Sequence, residues 1–192
     1  MALRDAILVT LLDGESSGYD LAKSFDNSVA NFWTAAPQQL YRELDRMEAE
    51  GLLAGRRVEQ ERRPNKRVFS ITDAGLEAVA EFIRREPKPT ALRDEMMVQV
   101  QGVEWGDIDS VRAAVAARVE LAETKLKRYL RLRDRLLGGL TEADYLVSAP
   151  RVGPYLTLAR GIGFEEENVR WGTTTLEILA RRAERAQAAT GD

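Results

Sequence analysis

Apolar residues crowd the first dozen positions, where Leu3, Ala6, Ile7, Val9, Leu11 and Leu12 run almost unbroken until Asp13-Gly14 stops them. A run that short cannot cross a bilayer and predicts a buried first helix. Ser16-Ser17-Gly18 then leads into Tyr19, Leu21, Ala22 and Phe25, a second short helix that a serine can cap and whose first turn suits Asp20. After a loop over 26–33, a third helix starts at Thr34 or Ala36. It tolerates Pro37 because the missing N–H has no helical partner in the first turn, and Glu50-Gly51 closes it. Leu40, Leu44 and Met47 recur on one stripe, while Gln38, Gln39, Tyr41, Arg42, Asp45, Arg46 and Glu48 occupy the other faces. Hydrogen-bonding groups therefore gather at the start of this helix and acids further along.

The period then changes. Segments 52–61 and 66–71 carry β-favouring positions on either side of Arg62-Arg63-Pro64-Asn65, whose turn chemistry predicts a two-stranded hairpin with arginines at its tip. Ile71-Thr72-Asp73 introduces a helix bearing Leu76, Val79, Ala80 and Ile83, capped by Thr72 or Asp73 and ended before Pro87-Lys88-Pro89. That proline pair marks a linker over 87–91 between a first domain, 1–86, and a second, 92–192. In the second, helical spacing covers 92–103 and then runs from Gly106-Asp107 through Leu137, where Gly138-Gly139 ends it. Ile108, Val111, Val115, Val119, Ala122, Leu126, Tyr129, Leu130 and Leu136 recur there in steps of three and four, the pattern of a coiled-coil seam. At about 1.5 Å per residue this helix reaches roughly 45 Å, longer than a compact neighbour needs, so the seam is read as a contact between two copies of the chain. A helix from about Thr141, interrupted around Pro150 and Gly153-Pro154, and a last one from about Gly163 through Trp171 complete an all-α second half.

Composition narrows the chemistry. The 192 residues include no cysteine and no histidine, which removes disulfides, thiol nucleophiles, imidazole bases and the common zinc sites. No acidic cluster has calcium-loop spacing, no basic-then-apolar leader opens the chain, and nowhere do eighteen apolar residues adjoin. The expectations are a cytoplasmic protein with no metal, no cofactor and no membrane association. An enzyme would need paired carboxylates or a pocketed lysine, and no arrangement suggests one. The net charge of -3 argues against wholesale coating of nucleic acid, so any such site is local. The sharpest concentration of charge is then the hairpin, where Arg56, Arg57, Arg62, Arg63, Lys66 and Arg67 face only Glu59 and Glu61.

Three helices, a hairpin and a helix within 86 residues are the parts of a winged helix-turn-helix. Its third helix can enter a major groove, where Gln pairs with adenine and Arg with guanine, while the hairpin reaches phosphates or a minor groove. The fold class is thus mainly α, a winged helix-turn-helix with a two-stranded wing followed by an all-α domain. A winged helix that docks a protein instead of DNA is the alternative, and the polar first turn of the third helix favours DNA over it.

Gly18-Tyr19-Asp20-Leu21, Gln39-Leu40-Tyr41-Arg42-Glu43-Leu44, Glu48-Ala49-Glu50-Gly51-Leu52, the basic hairpin and Ile71-Thr72-Asp73-Ala74-Gly75 occur in an order that resembles the PadR-like family of transcriptional regulators. Leu92-Arg93-Asp94-Glu95 and the long helix resemble its larger branch, whose C-terminal helical domain dimerises. The resemblance implies a homodimeric repressor on a pseudo-palindromic operator, open to control by a small-molecule effector whose site the sequence leaves unknown. Carried over by position, it implies that Tyr19 and Tyr41 hold phosphates, that Gln38, Gln39 and Arg42 face the groove, and that Arg63, Asn65 and Lys66 form the wing tip. Ser17 and Arg62 complete the DNA-binding set. Ile108, Val111, Val115, Val119, Leu126, Tyr129, Leu130 and Trp171 form the dimerisation set. Where the family often places Ser-Gly ahead of its recognition-helix Tyr, this chain has Ala35-Ala36-Pro37-Gln38.

Plainer readings stand beside these. Tyr19 and Tyr41 could be core or rim aromatics, and the hairpin cations a solvated edge that resists strand pairing. Trp33, Trp105 and Trp171 with Tyr145, Tyr155 and Phe164 could line an effector pocket, but a packed dimer core is the commoner use of such residues. Gly18 is read as serving backbone geometry and Gly75 as allowing close packing.

Overall fold

The computed structural model describes residues 2–24, 36–59, 65–89 and 93–190, and the chain divides into two units, 1–89 and 90–192. In the first unit, α1 (Ala2–Leu11), β1 (Ser16–Ser17), α2 (Gly18–Ser24), α3 (Pro37–Ala49), β2 (Leu53–Val58), β3 (Lys66–Ile71) and α4 (Asp73–Arg84) follow in order. One core joins them. Ile7, Leu8 and Leu11 of α1 meet Leu21 of α2, Leu40, Leu44 and Met47 of α3, Leu53 and Phe69 of the sheet, and Val79 of α4. The three-residue stripe of α3 is fully withdrawn from water, at about 1.5–3 kcal/mol of hydrophobic stabilisation per side chain. That burial fixes which faces of α3 remain outside.

The ends of α3 follow from its sequence. Ala36 offers no side-chain cap, and Pro37 needs none in the first turn. At the far end Gly51 adopts φ +75° and the Leu52 N–H donates to Met47 O at 2.9 Å, so the chain turns directly into β2. Strands β2 and β3 form the expected antiparallel hairpin, in register from Leu53 opposite Ile71 to Val58 opposite Lys66. The wing is not two-stranded at its base: β1 adds a third strand, Ser16 opposite Phe69 and Ser17 opposite Val68, giving the order β1-β3-β2. Two residues are too few to carry a period-two signal, so nothing in the sequence announced this strand.

Thr72 caps α4, accepting from the Gly75 N–H at 3.1 Å and donating to Gly51 O at 2.7 Å. A Cβ on Gly75 would meet Leu52 O at 2.4 Å, so only glycine lets α4 lie this close to the sheet. The apolar face expected for α4 is only partly spent, because Val79 is buried while Leu76 and Ile83 are 45% and 71% exposed.

The second unit contains α5 (Glu95–Gln101), a 3-10 turn over Val103–Trp105, α6 (Ile108–Leu137), α7 (Glu142–Ser148) and α8 (Gly153–Thr190). The helix expected over 92–103 is shorter, starting after the cap Asp94; Leu92 lies outside the described residues. Asp107 caps α6 through the N–H groups of Asp109 and Ser110, and Gly138 ends it in the left-handed region at φ +58°.

Two expectations are corrected. The last helix starts at Gly153, ten positions before Gly163, because Pro154 falls in its first turn where proline is tolerated. The seam of α6 is also largely satisfied within the chain, by α8. Val115, Ala122 and Tyr129 are at most 2% exposed, and Leu158, Ile162, Leu179 and Ala183 of α8 are buried with them. A Cβ on Gly172 would stand 2.3 Å from Val119 Cγ2, so α8 comes against α6 at a glycine. A long helix needs a long mate, and the sequence reading missed one because it cut α8 short.

Glu165 of α8 is 4% exposed and is held by Lys125 Nζ at 3.3 Å and Asn168 Nδ2 at 3.0 Å. Among the described residues no helix is long and apolar enough to cross a membrane, and no three His, Cys, Asp or Glu side chains gather where they could hold a metal ion.

Candidate nucleic-acid interface

The site is built outward from the start of α2. Ser17, only 4% exposed, donates its hydroxyl to Asp20 Oδ2 at 2.6 Å and accepts the Asp20 N–H at 3.1 Å. It is a helix cap with little exposed surface, and it borders the concavity shared by Tyr19 and Tyr41. The same hydrogen bond, outweighing partial burial and aided by Lys66, holds the Asp20 carboxyl below the usual range. Lys66 Nζ lies 3.7 Å from Asp20 Oδ2, so the first residue of β3 is tied to α2.

Gly18 explains where Tyr41 sits. Its φ is not positive, and an added Cβ would stand 2.5 Å from Tyr41 Cε1. The glycine therefore clears space for a neighbouring ring and does not serve an unusual backbone conformation. Tyr41 remains 45% exposed and Tyr19 70% exposed, too open for core aromatics. A shallow cavity of about 290 Å³ joins α2, α3 and β3, lined among others by Tyr19, Tyr41, Asn65, Lys66 and Arg67. Ser17 borders it too, so five residues of the sequence-derived DNA-binding set share one concavity. Gln38, Gln39 and Arg42 lie on the exposed faces of α3. Arg62 and Arg63 lie outside the described residues.

Arg67 was missing from the sequence-derived set. Its guanidinium pairs with Asp45 at 2.8 Å and with Glu48, both on α3, and lies 5.1 Å from the Phe69 ring centroid. Arg56 likewise donates to Glu15 at 3.1 Å, and this hydrogen bond keeps the Glu15 carboxyl below its usual range. The cationic hairpin read from one window of sequence is therefore substantially paired, because Glu15, Asp20, Asp45 and Glu48 reach it from other elements. Such exposed pairs contribute about 0–1 kcal/mol each, so an incoming phosphate can exchange for them at little cost. Arg42 and Arg57 are exposed and meet no acid among the described residues.

The aromatic residues of the second unit divide between interior and surface. Tyr155 is buried and its ring centroid lies 5.5 Å from that of Tyr145, whereas Trp105 is 87% exposed and Phe164 45%. Trp171 is half-buried, and Trp33 lies outside the described residues.

Comparison with known proteins places these features in a lineage. Residues 7–81 match the transcriptional regulator PadR-like family, and residues 92–180 match the virulence activator alpha C-terminal family. A Mycobacterium tuberculosis protein named "Probable transcriptional regulator Rv1176c" is 33% identical over 192 residues, covering 95% of this chain and 100% of that one. The negative transcriptional regulator PadR of Bacillus subtilis is 26% identical over 178 residues, 92% of this chain and 97% of its own. Its crystal structure in complex with operator DNA superposes with a TM-score of 0.74 at 26% identity, over 93% of this chain and 99% of that one. The same protein in complex with p-coumaric acid gives 0.68 at 25% identity, over 94% and 99%. The Vibrio cholerae virulence activator AphA superposes with a TM-score of 0.67 at 26% identity, over 94% of this chain and 99% of its own. With a third of its positions shared with a relative along nearly its whole length, and both halves matched in order, the chain belongs to the PadR-like family of transcriptional regulators.

Proposed function

We propose that this chain is a DNA-binding repressor acting as a homodimer on a pseudo-palindromic operator. The observation that carries the reading is the concavity in which Tyr19 and Tyr41 meet Asn65 and Lys66, next to the exposed polar start of α3. In it, α3 enters the major groove with Gln38, Gln39 and Arg42 toward base edges. Tyr19 and Tyr41 hold phosphates, and the wing, with Asn65, Lys66, Arg62 and Arg63, lies along the backbone. Half-sites then lie about 34 Å apart, one helical turn.

Residues 1–86 form the reading head, 87–91 the linker and 92–192 the dimerisation domain. Because Val115 and Tyr129 are spent against α8 and Val119 meets Gly172, the half-buried Ile108, Val111, Leu126, Leu130 and Trp171 are what remains of the original set for a second copy. The Bacillus relative crystallised with p-coumaric acid supports a small-molecule effector here. The chain works on cytoplasmic DNA and catalyses nothing.

Titrating the full-length protein against its own upstream DNA at several salt concentrations tests the reading. Affinity should fall steeply with salt, by a slope of about -0.9 per neutralised phosphate. Lys66→Ala should flatten that slope, whereas Gln39→Ala should weaken the preference for operator over scrambled DNA and leave the slope alone. Binding that ignores salt, or no binding to any duplex, would leave a protein-docking winged helix as the better account.

A further inference from the structure

The reading of the hairpin as the sharpest concentration of charge is corrected by α6, where Lys125, Lys127, Arg128, Arg131, Arg133 and Arg135 stand against the single acid Asp134. The fold uses part of it. Lys125 pairs with buried Glu165, and Arg133 with Asp134. Lys127, Arg131 and Arg135 remain, exposed and meeting no acid among the described residues. They are spaced by four, so they form one line along the helix with about 6 Å of rise between neighbours.

Two of the three are also held in place. Arg131 Nε donates to Lys127 O and Arg135 Nε to Arg131 O, each at 3.3 Å, and both side chains remain exposed. Arg128, Arg131 and Arg135 border a shallow cavity together with Asp134, whose carboxylate is already paired with Arg133.

A solvated helix end would be the plain account, since cations suit the negative end of the helix dipole. That effect is confined to the last turn, which contains Arg135 alone of the three. Like charges at i,i+4 repel, so the steps from Lys127 to Arg131 and from Arg131 to Arg135 each weaken α6, offset in part by Glu123 four residues before Lys127. Leu126 and Leu130, the half-buried residues left for a second copy, fall by helical spacing on a different side of α6 and also pack against the core within the chain, and the cationic line itself carries no large exposed hydrophobic residue. A regularly spaced row of fixed cations without an apolar centre suits a polyanion whose charges repeat, the phosphate backbone of a nucleic acid.

We propose that Lys127, Arg131 and Arg135 form a second, sequence-independent nucleic-acid surface that holds duplex phosphates outside the segment read by the winged helix. The proposal rests on the DNA-binding reading only for the source of the duplex. Its test uses the full-length protein and the triple variant Lys127→Gln/Arg131→Gln/Arg135→Gln, with circular dichroism to confirm that helix content is kept. Gln matches Lys and Arg closely in helix propensity. Binding is measured over a salt series on a short operator fragment, a short scrambled fragment, and a long fragment carrying the operator with flanking DNA.

The triple variant should match wild type on the short operator. On the long fragment it should bind about tenfold or more weaker at low salt, with the slope flattened by about 0.9 for each lost phosphate contact. Arg131→Lys/Arg135→Lys, which keeps the charge, should bind the long fragment like wild type. Equal affinity and slope of wild type and triple variant on the long fragment would overturn the proposal. So would a difference seen only in retention on polyglutamate, which would assign the line to an acidic protein. Failure to prefer the operator over the scrambled short fragment would instead sink the operator reading, while variant-sensitive binding to the long duplex would still support this surface.

Discussion

Replacing Gly172 by alanine tests how the helical unit is assembled. The new Cβ would lie 2.3 Å from Val119 Cγ2, where carbon atoms prefer about 3.5–4.0 Å. More than an ångström must be found. Val119 is a poor source of it, because a β-branched side chain in a helix is held to essentially one χ1 rotamer. Relief must come from parting α6 and α8, an overpacking cost of about 1–3 kcal/mol. Against this, glycine-to-alanine inside a helix gains about 0.8–1 kcal/mol. A contact this short places the strain at the upper end, so the net loss should be about 2 kcal/mol. At about 4–8 °C per kcal/mol for a unit near 100 residues, the melting temperature should drop by about 8–16 °C.

Val119→Ala alone should cost about 1–2 kcal/mol through lost methyl groups. In the double variant the clash disappears while the helix gain stays, so it should be more stable than the sum of the singles by at least about 1 kcal/mol. Thermal and urea unfolding of the four proteins measure this, with light scattering to follow the mass. Additivity within about 0.5 kcal/mol, or a change in mass without loss of stability, would refute the cis contact and return Val119 to the subunit interface.

Gly18→Ala should push the half-exposed Tyr41 ring aside, weakening operator binding severalfold while the melting temperature barely moves; an unaltered affinity would argue that Tyr41 is a bystander. Thr72→Ala removes the α4 cap and its hydrogen bond to Gly51, and should cost about 1 kcal/mol, visible as a shift of about 4–8 °C in the melting of the first unit. Asp20→Asn should destabilise that unit at neutral pH. Because the folded-state pKa of Asp20 is depressed, its contribution is complete above about pH 4 and is lost as the pH falls through the folded value. The gap between variant and wild type should therefore close as the pH falls through the folded value, and a gap that never narrows on acidification would show that the charge of Asp20 plays no part.

What could be read from the sequence was local. Leu40, Leu44 and Met47 repeat at helical spacing, Thr72, Asp107 and Gly138 cap or end helices at the expected places, and each signal lies within a few residues of its effect. What stayed hidden depends on distance along the chain. Glu15 meets Arg56 across 41 positions and Asp45 meets Arg67 across 22, so no window of sequence could show how far the wing cations are compensated. Ser17 looked like a surface polar residue because the strand that buries it is two residues long. Pro154 was read as a breaker although it stands where a helix begins, and that single misreading removed the stretch of α8 that α6 needed, turning an internal contact into an apparent vacancy for a second subunit. The Lys127, Arg131 and Arg135 line was legible as charge, but that these three meet no acid among the described residues emerges only once Lys125 and Arg133 are seen to be occupied.

The short strand β1 has a mechanical consequence. Its backbone is paired to β3, and one residue later the chain is already turning in α2, with Ser17 serving both elements. A load applied at the hairpin strands can therefore pass through this pairing into α2 within a residue. On the proposed reading, a duplex whose grooves are spaced differently from the gap between hairpin and helix finds an unyielding gauge, and the bending energy falls on the DNA. Discrimination by stiffness of the target would then accompany discrimination by base edge.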